Sequence, residues 1–235
     1  MNQAQKKQLV EYLADFATDE RIDRINEVLE NRTRHLTVVL EDVYQPHNAS
    51  AVLRSCECFG IQDVHIIENR NRFDPSTGVA VGADQWLTLH RYDGDPGVAD
   101  PDGIAARCFE SLRSDGYAIV AMTPHREEAT VGELPVENKT ALLFGTELEG
   151  LSEYAMEHAD RHASIPMYGF SESFNISVST ALALYEVVSR LRESDVDWRL
   201  SSEERMELRI DWLRQSIRAG EELARKFLEG SGSQR

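Results

Sequence analysis

Asn48, Arg54, Glu147, Ser173 and Asn175 are the residues of this 235-residue chain whose types and settings could do chemistry. They lie in three separated segments. These are Pro46-His47-Asn48-Ala49-Ser50-Ala51-Val52-Leu53-Arg54, Phe144-Gly145-Thr146-Glu147-Leu148-Glu149-Gly150-Leu151-Ser152, and Ile165-Pro166-Met167-Tyr168-Gly169 running on to Ser173-Phe174-Asn175-Ile176-Ser177. Each falls where a strand pattern hands over to a helix pattern. An arginine in an apolar helix (Ala51, Val52, Leu53, Cys56, Phe59) asks for an anionic or carbonyl partner, either a structural carboxylate or a ligand. Asn48 stands at a helix start, where capping is one role and ligand contact another. Gly145 and Gly150 bracket Glu147 at a strand's carboxyl end, the edge where open α/β sheets hold ligands; the alternative is a simple turn with exposed acids. Ser173 and Asn175 open the longest core helix, whose free N–H groups can be capped or can hold a carboxylate or phosphate. Three such turns in one domain point to a single composite site.

Other chemistries lack their residues. No G-x-G-x-x-G follows the first strand and no G-x-x-x-x-G-K-[ST] occurs, which removes the ordinary dinucleotide and P-loop readings. Gly169-Phe170-Ser171-Glu172-Ser173 lacks the second glycine of a nucleophile elbow. Glu147 and Glu149 are two apart and need not share a face, so a glycosidase pair has no further support. Cys56, Cys58, His47 and His65 show no zinc spacing. No metal is expected, and the three cysteines read as buried reduced thiols.

The elements that must position these segments follow from periodicity. Residues 3–30 read as one or two helices, with apolar stripes Leu9, Leu13, Phe16 and Ile22, Ile25, Leu29, broken and capped at Thr18-Asp19-Glu20. Strands are expected over 36–40, 64–67, 86–89, 117–122, 140–144 and 163–167. Helices are expected over 48–59, 104–113, 153–158 and 175–191, with irregular chain over 69–84 and 94–103. The alternation predicts an α/β fold, a parallel sheet with helices on both faces. Residues 199–228 carry Met206, Ile210, Leu213, Ile217, Ala224 and Phe227 at helical spacing, a stripe for the core or a partner subunit. This divides the chain into an N-terminal helical extension (1–35), a central domain (36–192) and a C-terminal helical extension (193–235).

Hydrophobic residues make up 41% of the chain, so global disorder is not expected. Apolar runs are short of a membrane span and the N-terminus is polar, which predicts a cytoplasmic protein without a membrane partner. The net charge of −16 opposes nucleic-acid binding unless basic residues are concentrated locally. Only four of the 25 basic residues are lysine, and arginine is the better phosphate fork. Arg21, Arg24, Arg32 and Arg34 cluster with His35 before the first strand. The acid excess also suits a surface adapted to high salt.

Taken together, the three segments resemble the three motifs of the SpoU/TrmH (SPOUT) family of RNA ribose 2′-O-methyltransferases. The resemblance covers roughly residues 36 to 192, with motif one over Asn48 to Arg54, motif two over Phe144 to Ser152 and motif three over Ile165 to Glu186. The stretches Glu41 to Asn48 and Gly82 to Trp86 are closer still to the branch that methylates guanosine-18 in the tRNA D-loop. The resemblance implies a deep C-terminal trefoil knot, which periodicity alone would never predict, and a homodimer whose site borrows residues from both subunits. It implies S-adenosyl-L-methionine as cofactor, tRNA as partner and no DNA. It places Arg54 nearest the reacting hydroxyl, with Asn48, Glu147, Ser173 and Asn175 completing the site. Met122, Gly145, Thr146, Glu147, Ile165, Met167 and Phe174 would hold the cofactor, and Arg21, Arg24, Arg32, Arg34 and Arg54 the RNA. Asp84 and Gln85 stand where some relatives carry basic residues, and Phe174 replaces a usual leucine. Two other readings keep part of this: the same chemistry on ribosomal RNA or another tRNA position, or an RNA-binding protein without activity.

Overall fold

In the computed structural model, residues 1–74, 82–94, 100–126 and 128–232 are described. The β-branched and leucine-rich runs become strands β1 (Leu36–Glu41), β2 (Asp63–Glu68), β3 (Thr88–Asp93), β4 (Ala118–Met122), β5 (Thr140–Phe144) and β6 (Arg161–Ala163). Among the described residues they form one sheet in the order β3-β2-β1-β5-β4-β6, and every pairing is parallel. Between them run α3 (Pro46–Cys58), α4 (Pro101–Ser114), α5 (Glu153–His158) and α6 (Ile176–Glu193).

Alternation along the strands builds two cores. Leu36, Val38, Leu40, Val64, Ile66, Val120 and Leu142 point to the face covered by α3 and α6. Val39, Ile67, Ile119, Ala141 and Leu143 point to the face covered by α4 and α5. Both faces are thus covered, as the alternating pattern predicts.

Several boundaries differ from the sequence expectation. Helix α3 begins at Pro46, whose fixed φ suits the first helical position, so Asn48 lies inside the first turn and Gln45 is the capping residue. The strand expected over 86–89 is displaced, because Ala83–Trp86 coil into a short 3₁₀ turn and pairing with β2 starts at Thr88. Helix α4 starts at Pro101, capped by the Asp100 side chain on Gly103 N–H. The strand expected over 163–167 ends at Ala163. Pro166 has no N–H to give a ladder, and the apolar residues after it serve a cavity wall instead. Parts of the irregular stretches 69–84 and 94–103 lie outside the described residues. Cys58 is exposed, whereas Cys56 and Cys108 are buried as expected.

Residues Met1–Arg32 and Arg199–Arg235 form one compact unit and Thr33–Trp198 another. The first contains α1 (Gln3–Ala14) and α2 (Asp19–Leu29), with Thr18 capping α2. It also holds α7 (Ser202–Ser216) and α8 (Gly220–Gly232), which share the stretch of helical spacing between them. Ala219, at φ 61°, breaks the tail into two. Lys6 spans Glu203 and Glu207 at 3.1 and 2.6 Å, tying α1 to α7. No helix among the described residues is long and apolar enough to cross a membrane.

Candidate active site

The sheet order reverses direction between β1 and β5, so the loops leaving their carboxyl ends diverge and open a crevice. Asn48 follows β1, Glu147 follows β5 and Asn175 precedes α6. The fold brings these three together at that crevice. The carboxylate Oε1 of Glu147 accepts from Asn48 Nδ2 at 2.9 Å, from Asn175 Nδ2 and from the Ile176 N–H at 3.3 Å. Asn175 Nδ2 also donates to Asn48 Oδ1 at 3.0 Å, and Asn48 Nδ2 to Gln45 Oε1 at 2.8 Å. Asn175 meanwhile caps α6 through its Oδ1 on the Ser177 N–H. One carboxylate therefore ties all three sequence segments and the N-terminus of the longest core helix.

Beside this network lies a cavity of about 420 Å³, within the range of roughly 300–1,000 Å³ usual for small-molecule and cofactor sites. Met122, Gly145, Thr146, Glu147, Ile165, Met167 and Phe174, the seven residues expected to hold a cofactor, all line it, and so does Ser173. His125 and Met156 line it as well. Sequence reasoning missed them, because His125 sits in a polar connection and Met156 in an ordinary helix stripe.

The motif-two loop is closed on itself. Thr146 and Gly150 exchange backbone hydrogen bonds at 2.9 and 3.1 Å, and Gly150 has φ 70°. A Cβ on Gly145 would stand 2.1 Å from the Gly150 carbonyl oxygen. A methyl group cannot fit there, so the cradle requires glycine. We expect Gly145→Ala to spread the loop, cost about 1–3 kcal/mol of stability as an overpacked site and abolish cofactor binding. Calorimetric titration with S-adenosyl-L-methionine checks this, and wild-type affinity in the variant would refute it.

The far end of the loop is anchored by a residue that sequence reasoning did not single out. Glu41, buried at the end of β1, accepts from Ser152 N–H at 2.8 Å and Ser152 Oγ at 2.7 Å. The available signal was an acid closing an otherwise apolar buried strand. Burial pushes its pKa up, against the two Ser152 hydrogen bonds. Between the ordinary carboxylate range and that raised value, the folded chain keeps a proton that the unfolded chain has released. This group therefore makes stability fall as pH rises through that window. Glu41→Gln should flatten that slope and keep the Ser152 contacts, while Glu41→Ala should cost about 1–3 kcal/mol. Thermal melts of the three proteins between pH 4 and 8 test both expectations.

Other expected residues are placed differently. The guanidinium of Arg54 is exposed, carries no ion pair among the described residues and does not line the cavity. The structural salt bridge allowed for it by sequence is not formed. Arg21 is exposed, and Arg24 pairs with Glu27 at 2.8 Å. Arg32, expected on an RNA surface, is instead buried with its guanidinium 5.3 Å from the Trp212 ring centre, where the aromatic face attracts the cation. Arg34 turns to Asp63 at 2.7 Å, because that buried carboxylate needs a cation. His65, considered as a metal ligand from sequence, is buried against His90 and Tyr92. Burial lowers its pKa to about 4.

Residues 35–185 match the model of the SpoU rRNA methylase family, about two thirds of the chain. The chain belongs to this family. Among its relatives is a tRNA (guanosine(18)-2′-O)-methyltransferase of Borreliella burgdorferi, 41% identical over 88% of this chain and 90% of the relative. A protein of the same name from Thermus thermophilus is 34% identical over 84% and 97%. Among solved structures, the TrmH/SpoU tRNA modifying enzyme of Aquifex aeolicus aligns with TM-score 0.73 at 28% identity, over 85% of this chain and 98% of that one. The SpoU methyltransferase AviRb of Streptomyces viridochromogenes, solved with the cofactor AdoMet, aligns with TM-score 0.58 at 25% identity, over 72% and 65%. The cavity described above is of a size that suits such a cofactor. Its glycine cradle and apolar walls (Met122, Phe144, Ile165, Met167) suit the nucleoside and aliphatic parts of that molecule.

Proposed function

We propose that this methyltransferase acts on the ribose 2′-hydroxyl of guanosine-18 in the tRNA D-loop, with S-adenosyl-L-methionine as methyl donor. The observation that carries the reading is the Glu147–Asn48–Asn175 network standing beside the glycine-cradled cavity. The kinship with guanosine-18 enzymes over most of both chains supports the target. The cofactor supplies, when bound, a methyl group already activated on a sulfonium. The protein's task is then the hydroxyl, which barely ionises at neutral pH.

Arg54 is assigned to that hydroxyl and its neighbouring phosphate. A guanidinium is effectively always protonated, so it serves as a charge that binds phosphate and stabilises the developing alkoxide, while the hydroxyl proton passes to solvent and the donor's sulfur departs as a neutral thioether. Asn48, Glu147 and Asn175 hold the starts of α3 and α6 in register, and Ser173 offers a hydroxyl at the cavity wall. Arg21, Arg24 and Arg54 remain the exposed arginines for RNA contact.

The chain is proposed to work as a homodimer with a trefoil-knotted C-terminal half. Val178, Leu182 and Tyr185 are exposed on α6 at helical spacing, an apolar stripe that a second copy would cover. Arg54 lies outside its own chain's cavity, which suits a site completed across that dimer. tRNA as substrate would place the protein in the cytoplasm.

Transfer of labelled methyl from S-adenosyl-L-methionine to unmodified tRNA transcripts tests the function, one transcript carrying 2′-deoxyguanosine at position 18. Loss of labelling in that transcript alone is the expected result. Equal labelling of both moves the target to another nucleotide. No labelling of any tRNA overturns the tRNA reading.

A further inference from the structure

We propose that Tyr168 and Phe170 form a stacking platform for unpaired bases of the RNA substrate; this rests on the reading of the chain as an RNA methyltransferase. The two rings are 97% and 107% exposed, more than any other large apolar side chain described. They sit two apart in the non-helical stretch between β6 and α6. Neither makes a ring contact among the described residues, although aromatic side chains elsewhere stack on neighbours, as Tyr154 does on His158 at 4.0 Å. Their sequence neighbours Met167, Glu172, Ser173 and Phe174 line the cavity. The stretch that carries the rings therefore borders the site that a ribose hydroxyl must enter, where the bases on either side of that ribose must pass.

Charge on the same unit favours a base as the occupant. The sequence of Thr33–Trp198 holds 12 Lys and Arg against 27 Asp and Glu. Phosphate attraction over this unit is correspondingly weak, so an RNA held there gains from a grip that does not depend on charge, beside the phosphate contact assigned to Arg54. Aromatic faces provide one, because every base has a π-face and stacking is worth about 1–3 kcal/mol per base. The surroundings separate this feature from the α6 stripe. Gly169 separates the rings and the polar Ser171 and Glu172 follow them, whereas Val178, Leu182 and Tyr185 form a continuous apolar row suited to a second copy.

The test compares the wild type with Tyr168→Ala, Phe170→Ala, their double variant, Phe170→Trp and Phe170→Leu. Affinity for unmodified tRNA is titrated across a salt series. S-adenosyl-L-methionine affinity and oligomeric state are measured on each protein. The double alanine variant should bind tRNA about tenfold to a hundredfold more weakly at every salt concentration, with the slope of log affinity against log salt unchanged. Phe170→Trp should hold affinity and Phe170→Leu should not, since a ring is required. Cofactor affinity and oligomeric state should stay at wild-type values. Unchanged tRNA affinity overturns the proposal. So does a loss that comes with dissociation into monomers, which would assign the rings to a second copy, or with lost cofactor affinity, which would make them a cavity lid. Wild-type protein that binds tRNA but methylates none of it would instead refute the methyltransferase reading on which the proposal rests.

Discussion

Arg54→Ala should abolish methyl transfer and leave cofactor affinity at its wild-type value. The guanidinium is exposed, carries no ion pair among the described residues and lines no part of the cavity. Its removal takes nothing from the cofactor's surroundings and nothing from the core, so stability should change by less than about 0.5 kcal/mol. What it removes is the positive charge assigned to the phosphate and developing alkoxide. Loss of one donor of that kind costs about 10²–10³ in rate, and loss of substrate positioning adds to it. Arg54→Lys should restore only a small part, because an ammonium lacks the planar fork that holds phosphate oxygens in a fixed orientation. Single-turnover transfer and calorimetric cofactor titration on the same preparations decide the matter. Substantial remaining turnover in the alanine variant would remove Arg54 from the reaction. A parallel loss of cofactor affinity would move it into the cavity.

The second large effect is expected at Glu147. Its Oε1 alone receives hydrogen bonds from Asn48, Asn175 and the Ile176 N–H. Glu147→Ala releases the start of α3, the motif-two loop and the start of α6 from one another. The carboxylate is exposed, so the stability cost should be no more than about 1 kcal/mol. The catalytic cost should be far larger, on the order of 10²-fold, since a displacement of about 1 Å among positioned groups carries that penalty. Glu147→Gln keeps an oxygen where Oε1 stands and should retain most of the geometry, losing about tenfold with the charge. A ranking of wild type, glutamine, alanine in transfer rate, with melting temperatures nearly level, is the expected pattern. Equal loss in both variants would assign Glu147 a role that needs its charge and not its geometry.

Chain-local physics decided much of this protein. Strand β5 and helix α5 fall where the sequence puts them, at 140–144 and 153–158. Their signals are contained within a few residues: a short apolar run between polar flanks, and Ser152 poised to cap. The same holds for the break at Thr18 and for the parallel sheet that alternation implies. Asn48, Glu147 and Asn175, which the fold gathers at the crevice, stand out in the sequence too, because each lies where a strand pattern hands over to a helix pattern.

Tertiary structure decided the rest. Asn48 and Glu147 are 99 residues apart and meet because β1 and β5 are neighbours in the sheet, an adjacency that no local pattern encodes. Packing within the helical unit sets Arg32 against Trp212, and packing on the sheet commits Arg34 to Asp63, taking both from the RNA surface expected of them. Arg54 is left exposed on a helix whose Ala49, Val52, Leu53 and Cys56 are buried. The fold also ends β6 at Ala163 and hands Ile165 and Met167 to a cavity wall, a use of apolar residues that resembles a strand until the cavity is seen. Residue type and near neighbours determine what a side chain can do. Strand order and register determine what it faces, since those choices are made by burial summed over the whole sheet.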